Sequence, residues 1–154
     1  MKKIVVISIL FSIDRLSKIY ILNLQESGID IDFYIFSFLN FYLVWNTGIG
    51  FGLASMETSA YYHMLTLLIL FVNIALIFIL VRSKGIYSYL IAIVIAGSLG
   101  NLLDRMYYYA VPDFIDFHIK GFHWFVFNIA DIFITLGIIC LIFDEIFINN
   151  KKNV

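Results

Sequence analysis

The sequence predicts an all-α membrane protein: four transmembrane helices with a small β-containing extracytoplasmic cap. Three observations predict it. Of 154 residues, 62% are hydrophobic and only 14% charged, with a mean hydropathy of +0.97. A soluble domain carries about a quarter charged residues. Four segments are long and apolar enough to cross a bilayer, which takes roughly 20 residues each. Lys and Arg cluster at alternate ends of those segments. A single Pro and long Ile/Leu/Phe runs favour helices over a barrel, whose strands would alternate. The natural count is one membrane domain over residues 1–154.

The spans fall at about 4–22, 62–81, 86–103 and 125–148. The start imitates a secretory signal, but no small-x-small cleavage site follows. Asp14, Arg15 and Lys18 interrupt the apolar run, which then resumes, so an uncleaved first span is expected. Lys2 and Lys3 precede span one, Arg82 and Lys84 lie between spans two and three, and Lys151 and Lys152 follow span four. Residues 23–61 contain no Lys or Arg, and residues 105–124 contain only Arg105 and Lys120. The positive-inside rule then puts both termini in the cytoplasm and the other two segments outside. Trp45, Tyr61, Tyr62, Tyr107, Tyr108, Tyr109 and Trp124 are expected as an interfacial aromatic belt. Within the outer cap, about 23–61, Ile29 to Phe33 alternates and Phe36 to Trp45 is aromatic and β-branched, which predicts short strands. Cys140, alone in an apolar run, reads as a small core residue and excludes an internal disulfide.

Ionisable residues inside spans are costly and therefore functional candidates. Asp14 and Lys18, four apart, share a helix face and can pair; Arg15 points elsewhere and has no assigned role. Gly97 and Gly100 permit close helix approach. Asn101 and Arg105 share a face four residues apart, and Asn128 and Asp131 three apart. Asp131 suits a helix N-terminus, yet a long apolar run follows it, so it is expected to point into the bundle. Asp113 and Asp116 both sit between apolar neighbours after span three, and nothing local separates them. Asn101, Arg105, Asp113, Asn128 and Asp131 all fall near one depth, at the outer face. Two carboxyls in a low-dielectric place share a proton: one activates water while its protonated partner polarises a peptide carbonyl. That is aspartyl-type hydrolysis, and it needs no cofactor and no metal. The rival classes are a transporter using Asp14, Lys18 and Asp131 as an ion path, and a non-catalytic scaffold. Neither a nucleophile-elbow serine nor a zinc-protease motif is present. His118 and His123 flank Lys120 near the two aspartates, which leaves an outer metal site as a minor reading, although their spacing matches no ligand pattern. His63 reads as a hydrogen-bonded core or interface residue. No basic run suggests nucleic acid.

Four blocks, in order, carry a resemblance: Asp14-Arg15-Leu16-Ser17-Lys18, Asn46 through Gly52, Gly97 through Arg105, and Phe127 through Asp131. With them the chain resembles lipoprotein signal peptidase (signal peptidase II, aspartyl peptidase family A8) along nearly its whole length. The resemblance implies a bacterial cytoplasmic (inner) membrane enzyme with its active site at the outer leaflet. It implies a substrate prolipoprotein carrying a diacylglyceryl cysteine, contact with membrane lipid, and globomycin-like inhibitors. It implies Asp113 and Asp131 as the catalytic pair, and so chooses Asp113 over Asp116. Asn101 and Arg105 match residues that support the pair and hold substrate, and Asn128 an asparagine beside the second aspartate. Asp14 and Lys18 match structural support in the first span. Asn46, with Gly48, matches an outer loop that closes over the site, and Gly48, Gly50 and Gly52 make that loop permissive for movement. Two departures stand out: Ser98 where the family usually has Gly, and Pro112 immediately before Asp113.

Overall fold

The computed structural model describes residues 1–48, 59–119 and 122–149. Helix α1 (Lys2–Glu26) is followed by strands β1 (Asp32–Phe36) and β2 (Leu39–Asn46). Helices α2 (Ser59–Arg82) and α3 (Gly85–Tyr108) come next, then strands β3 (Val111–Ile119) and β4 (Phe122–Phe127). Helix α4 (Ile129–Phe143) continues as a π-helical stretch, Asp144–Asn149. The strands form one antiparallel sheet in the order β1-β2-β3-β4.

Burial is inverted relative to a water-soluble fold. Leu67, Phe71 and Val81 are more than 60% exposed, whereas Asp14, Lys18 and Asp104 are 0% exposed. Exposed apolar side chains on this scale define a surface that faces hydrocarbon. Two helices, Ala60–Arg82 and Gly85–Tyr108, are long and apolar enough to cross a membrane. Buried residues concentrate on α3, including Ile91, Ala92, Ile95, Ala96 and Gly97, because α3 packs against each of the other three helices.

Small residues set the closeness of that packing. A Cβ on Gly97 would collide with the Ala130 carbonyl oxygen of α4, and one on Gly137 would lie 2.5 Å from Val94 Cγ2 of α3. Packing of backbone against backbone is the available attraction where lipid is as apolar as the side chains. Gly100 serves a different neighbour: its missing Cβ leaves room for the Asp14 carboxylate of α1.

Lys3 Nζ donates to the carbonyl oxygens of Leu80 (3.1 Å) and Ser83 (2.6 Å). This pins the start of α1 to the end of α2, so Lys2, Lys3, Arg82 and Lys84 share one end of the bundle. The sheet occupies the other end. There Trp45 meets Tyr108, with ring centroids 5.5 Å apart.

The sheet is larger than the sequence suggests. Strands were expected only in residues 23–61, yet half the sheet comes from residues 111–127. Hydrophobicity alone extended the fourth span back to 125; Phe125 to Phe127 pair with β3 instead, and the helix starts at Ile129. A short apolar run suits a buried strand and a helix equally. Pro112 is tolerated in β3 because β4 pairs only from Ile115 onward, leaving Pro112 opposite Trp45 of β2 alone. Tyr62 is buried rather than part of an interfacial belt, and Cys140 is exposed on α4 rather than in the core. The Trp124 side chain, Lys120, Lys151, Lys152, Gly50 and Gly52 lie outside what the structure describes.

Replacing Gly97 by Val should separate α3 from α4. The expected result is a loss of about 1–3 kcal/mol, read as a lower unfolding temperature of the detergent-solubilised protein.

Candidate active site

The site is built at the junction of the helices and the sheet, from the inside outward. Lys18 has no exposure and spends its three protons on three oxygens: Asp14 Oδ2 at 3.0 Å, Asp104 Oδ2 at 2.7 Å and Asn101 Oδ1 at 2.9 Å. Arg15 lies 2.5 Å from Asp104 Oδ1 and 3.5 Å from Asp14 Oδ2. Two cations thus meet two carboxylates, which is the condition under which buried charge is tolerated. Asp14 Oδ1 also accepts from the Ala130 backbone N at 3.0 Å, a free N–H in the first turn of α4. Asp14 and Lys18 are therefore joined as expected, and they orient α4. Arg15 and Asp104 were not singled out from sequence. The signal was present, since both are charges adjoining a span, but Arg15 sits off the Asp14–Lys18 face and its partner is on another helix.

Two aspartates stand above this network. Asp113 projects from β3 and is 2% exposed. Asn46 Nδ2 donates to its Oδ2 at 2.9 Å and Asn128 Nδ2 to its Oδ1 at 2.5 Å. Asp131, in the first turn of α4, accepts from Asn101 Nδ2 at 2.8 Å and from the Asn128 backbone N at 3.2 Å. Asn128 caps α4, its Oδ1 accepting from the Asp131 N at 3.1 Å, so residues 128 and 131 form a reciprocal capping box. The helix-start and bundle-facing readings of Asp131 are both correct.

Each asparagine presents its NH₂ to a carboxylate because its oxygen is already engaged. Lys18 holds the oxygen of Asn101, the Gly48 N holds that of Asn46 at 2.9 Å, and the Asp131 N holds that of Asn128. Burial, then the nearby Asp131 charge, push the Asp113 carboxyl up to about 7, against the pull of Asn46 and Asn128.

Asp113 and Asp131 line one cavity of about 380 Å³, together with Asn46, Asn101 and Arg105; its wall includes Leu65, Leu68, Ile69 and Ile134. Arg105 is 4% exposed, and one of its terminal nitrogens donates to the Gly48 carbonyl oxygen. Among the described residues, its Nε and other terminal nitrogen are buried without a hydrogen-bond partner. Asp116, the rival to Asp113, is 2.7 Å from His123 and does not line the cavity. His63 packs against the rings of Tyr62 and Tyr109.

Ser98 lines the same cavity and accepts from Asn73 Nδ2 of α2 at 2.8 Å. The departure from Gly at 98 thus has a partner. Asn73 was missed in the sequence, although a lone amide in an apolar span is itself a signal.

Apolar helices facing outward, a sheet over one end, and one buried and one half-buried carboxyl in one cavity between them make a membrane-embedded enzyme. The comparisons agree and refine this. Residues 6–147 match the family described as Signal peptidase (SPase) II. The chain is 51% identical to the lipoprotein signal peptidase of Pelagibacter ubique (strain HTCC1062), covering 97% of this chain and 90% of that protein. It is 35% identical to the lipoprotein signal peptidase of Anaplasma phagocytophilum (strain HZ), over 93% of this chain and 90% of that one. A bacterial membrane enzyme solved by the in meso method at 1.9 Å resolution superposes with a TM-score of 0.77 at 27% identity, covering 96% of this chain and 94% of that one. The chain belongs to the signal peptidase II family of bacterial membrane peptidases.

Lys18→Met should leave Asp14 and Asp104 buried against Arg15 alone. The expected cost is about 3–5 kcal/mol, measured as a fall in unfolding temperature, whereas Lys18→Arg should recover part of it.

Proposed function

We propose that this chain is an aspartyl endopeptidase that removes the signal peptide from diacylglyceryl-modified prolipoproteins, cleaving just before the lipid-modified cysteine. The observation that carries this reading is the pair Asp113 and Asp131, facing one cavity and each held by asparagine donors.

The chemistry follows from the pair. In this reading the pair's shared proton is carried by Asp113, whose carboxyl is pushed up to about 7 by burial. Asp131 is the carboxylate that takes a proton from water. The water oxygen bonds to the scissile carbonyl carbon while Asp113 gives its proton to the carbonyl oxygen. The resulting tetrahedral diol collapses as the C–N bond breaks and the amine takes the proton from Asp131. The second diol proton returns to Asp113. Arg105, with donors to spare, holds a carbonyl of the bound peptide. Asn46, Asn101 and Asn128 position the carboxyls, Gly48 links Asn46 to Arg105, and Asp14 and Lys18 support Asn101 and α4.

The surroundings suit the substrate. Leu65, Leu68, Ile69 and Ile134 offer an apolar wall to signal-peptide side chains. A second, almost wholly apolar cavity of about 230 Å³, lined by Phe125, Phe127, Ile132 and Leu136, meets the first at Asp131 and suits an acyl chain. A lipid-bearing cysteine stays in the bilayer, so its preceding bond reaches only a site near the surface. In this reading all four helices cross the inner membrane. Both termini are cytoplasmic, with Lys2, Lys3, Arg82 and Lys84 at that side. The sheet and the site lie at the outer leaflet. Globomycin-like peptides would compete for the cavity.

The test is gel analysis of a diacylglyceryl-modified prolipoprotein incubated with purified protein. Asp113→Asn and Asp131→Asn should each lower cleavage by about 10²–10⁴-fold or more while the variants remain inserted, because the changes are nearly isosteric. Cleavage by either variant at the wild-type rate would refute the assignment.

The pH dependence has a definite sign. A folded-state value near 7 lies above the ordinary carboxyl value of 3.8. Asp113 therefore favours the fold fully below about 4, and that contribution is lost as pH rises through about 7. Cleavage should fall over the same upper limb as Asp113 loses its proton. Asp113→Asn should flatten the decline in unfolding temperature between pH 5 and pH 8; an unchanged slope would count against a raised Asp113.

A further inference from the structure

A second set of chemistry-bearing side chains lies in the sheet, outside the cavity. Asp116 and His118 rise from β3 and His123 from β4, and one potential ligand atom from each lies within 4.8 Å of the others. His123 Nδ1 is 2.7 Å from Asp116 Oδ2, and His118 Nδ1 is 3.6 Å from the same oxygen. The two imidazoles are nearly parallel, 25° apart in plane with centroids 5.0 Å apart. They therefore present the same ring nitrogen to one carboxylate.

Hydrogen bonding leaves this set incomplete. Asp116 is 3% exposed, and among the described residues its Oδ1 is buried without a hydrogen-bond partner, as is His118 Nδ1. Asn40 of β2 is the cross-strand partner of Asp116, so its side chain rises on the same face. Its Oδ1 is a third buried atom without a partner. A buried polar atom left without a partner is costly. One cation would satisfy several at once.

We infer that Asp116, His118 and His123 bind a divalent first-row transition metal ion such as Zn²⁺. Two imidazoles and one carboxylate suit such an ion, whereas Ca²⁺ and Mg²⁺ prefer oxygen ligands throughout. Tetrahedral Zn²⁺ holds N and O ligands about 3.3–3.5 Å apart. The present separations of 2.7 and 3.6 Å reach that spacing through shifts of about 1 Å or less. Linear spacing hid the site because antiparallel pairing, not sequence distance, makes His118 and His123 neighbours. The ion clips β3, which carries Asp113 about 10 Å upstream along the strand, to β4, which leads into Asn128. None of the three ligands lines the cavity, so the ion is a fastening of the sheet and not an electrophile for the peptide bond.

The experiment uses full-length protein in detergent, without a polyhistidine tag, stripped by chelator and titrated with Co²⁺ and then Zn²⁺. The expected result is one Co²⁺ per chain with the visible absorption of a tetrahedral nitrogen- and oxygen-ligated ion, displaced by Zn²⁺. Zn²⁺ should also raise the unfolding temperature. His123→Ala, at a side chain 59% exposed and so dispensable for packing, should weaken binding at least ~10-fold and abolish that rise. The double variant His118→Ala/His123→Ala should bind none. Absence of stoichiometric binding by folded wild type would overturn the inference. So would wild-type affinity in His123→Ala, or a Zn²⁺-induced rise that survives in the double variant.

Discussion

Lys18 sits without exposure among apolar helices, where an unpaired ammonium would cost several kcal/mol. Its neutralisation by Asp14 and Asp104 is the condition on which the upper half of the molecule depends. Asp14 can be held there only because Gly100 has no side chain to displace it. Once held, it anchors the start of α4 through the Ala130 N–H. That fixes the first turn of α4, in which Asp131 sits. The third Lys18 proton sets Asn101, and Asn101 sets Asp131. A charge pair that adds little to net stability in itself thereby becomes the reference point for a carboxyl on another helix.

Asparagine is the connecting part throughout. An amide has one face that accepts and one that donates, so pinning the oxygen aims the NH₂. Asn46, Asn101 and Asn128 all work this way, and Asn128 touches both aspartates at once. Neutral donors suit this task better than lysines would. A full positive charge beside Asp113 would draw its carboxyl down into the ordinary range, whereas the amides hold it in place and leave it near 7. The β-sheet supplies Asp113, the helices supply Asp131, and the amides tie the two layers together.

Much of this was legible in the sequence. Helices over the first three apolar segments, the Asp14–Lys18 pair and the close approach at Gly97 and Gly100 follow from spacing and hydropathy. So does the gathering of Asn101, Asn128 and Asp131 at one depth. Residues that act across elements were not legible. Asp104 is silent until Arg15 and Lys18 arrive from α1. Asn73 has meaning only opposite Ser98. Strand β4 was absorbed into the fourth span because Phe125 to Phe127 are equally apolar in either form. Asp113 and Asp116 could not be told apart locally, since both flank phenylalanines in the same strand. They separate only when the sheet turns one toward the cavity and leaves the other beside His123.

Helix α2 is apolar almost all round, so packing alone gives it no preferred side to turn toward α1 and α3. Three polar contacts supply the preference at three heights: Tyr62 to the Arg105 carbonyl, Asn73 to Ser98, and the Leu80 carbonyl to Lys3. Together they act as an index for rotation about the helix axis. Because the cavity wall includes Leu65, Leu68 and Ile69 from this helix, the shape of the cavity depends on these three hydrogen bonds. Loss of the middle contact would let the helix roll, and a different row of side chains would then face the aspartates.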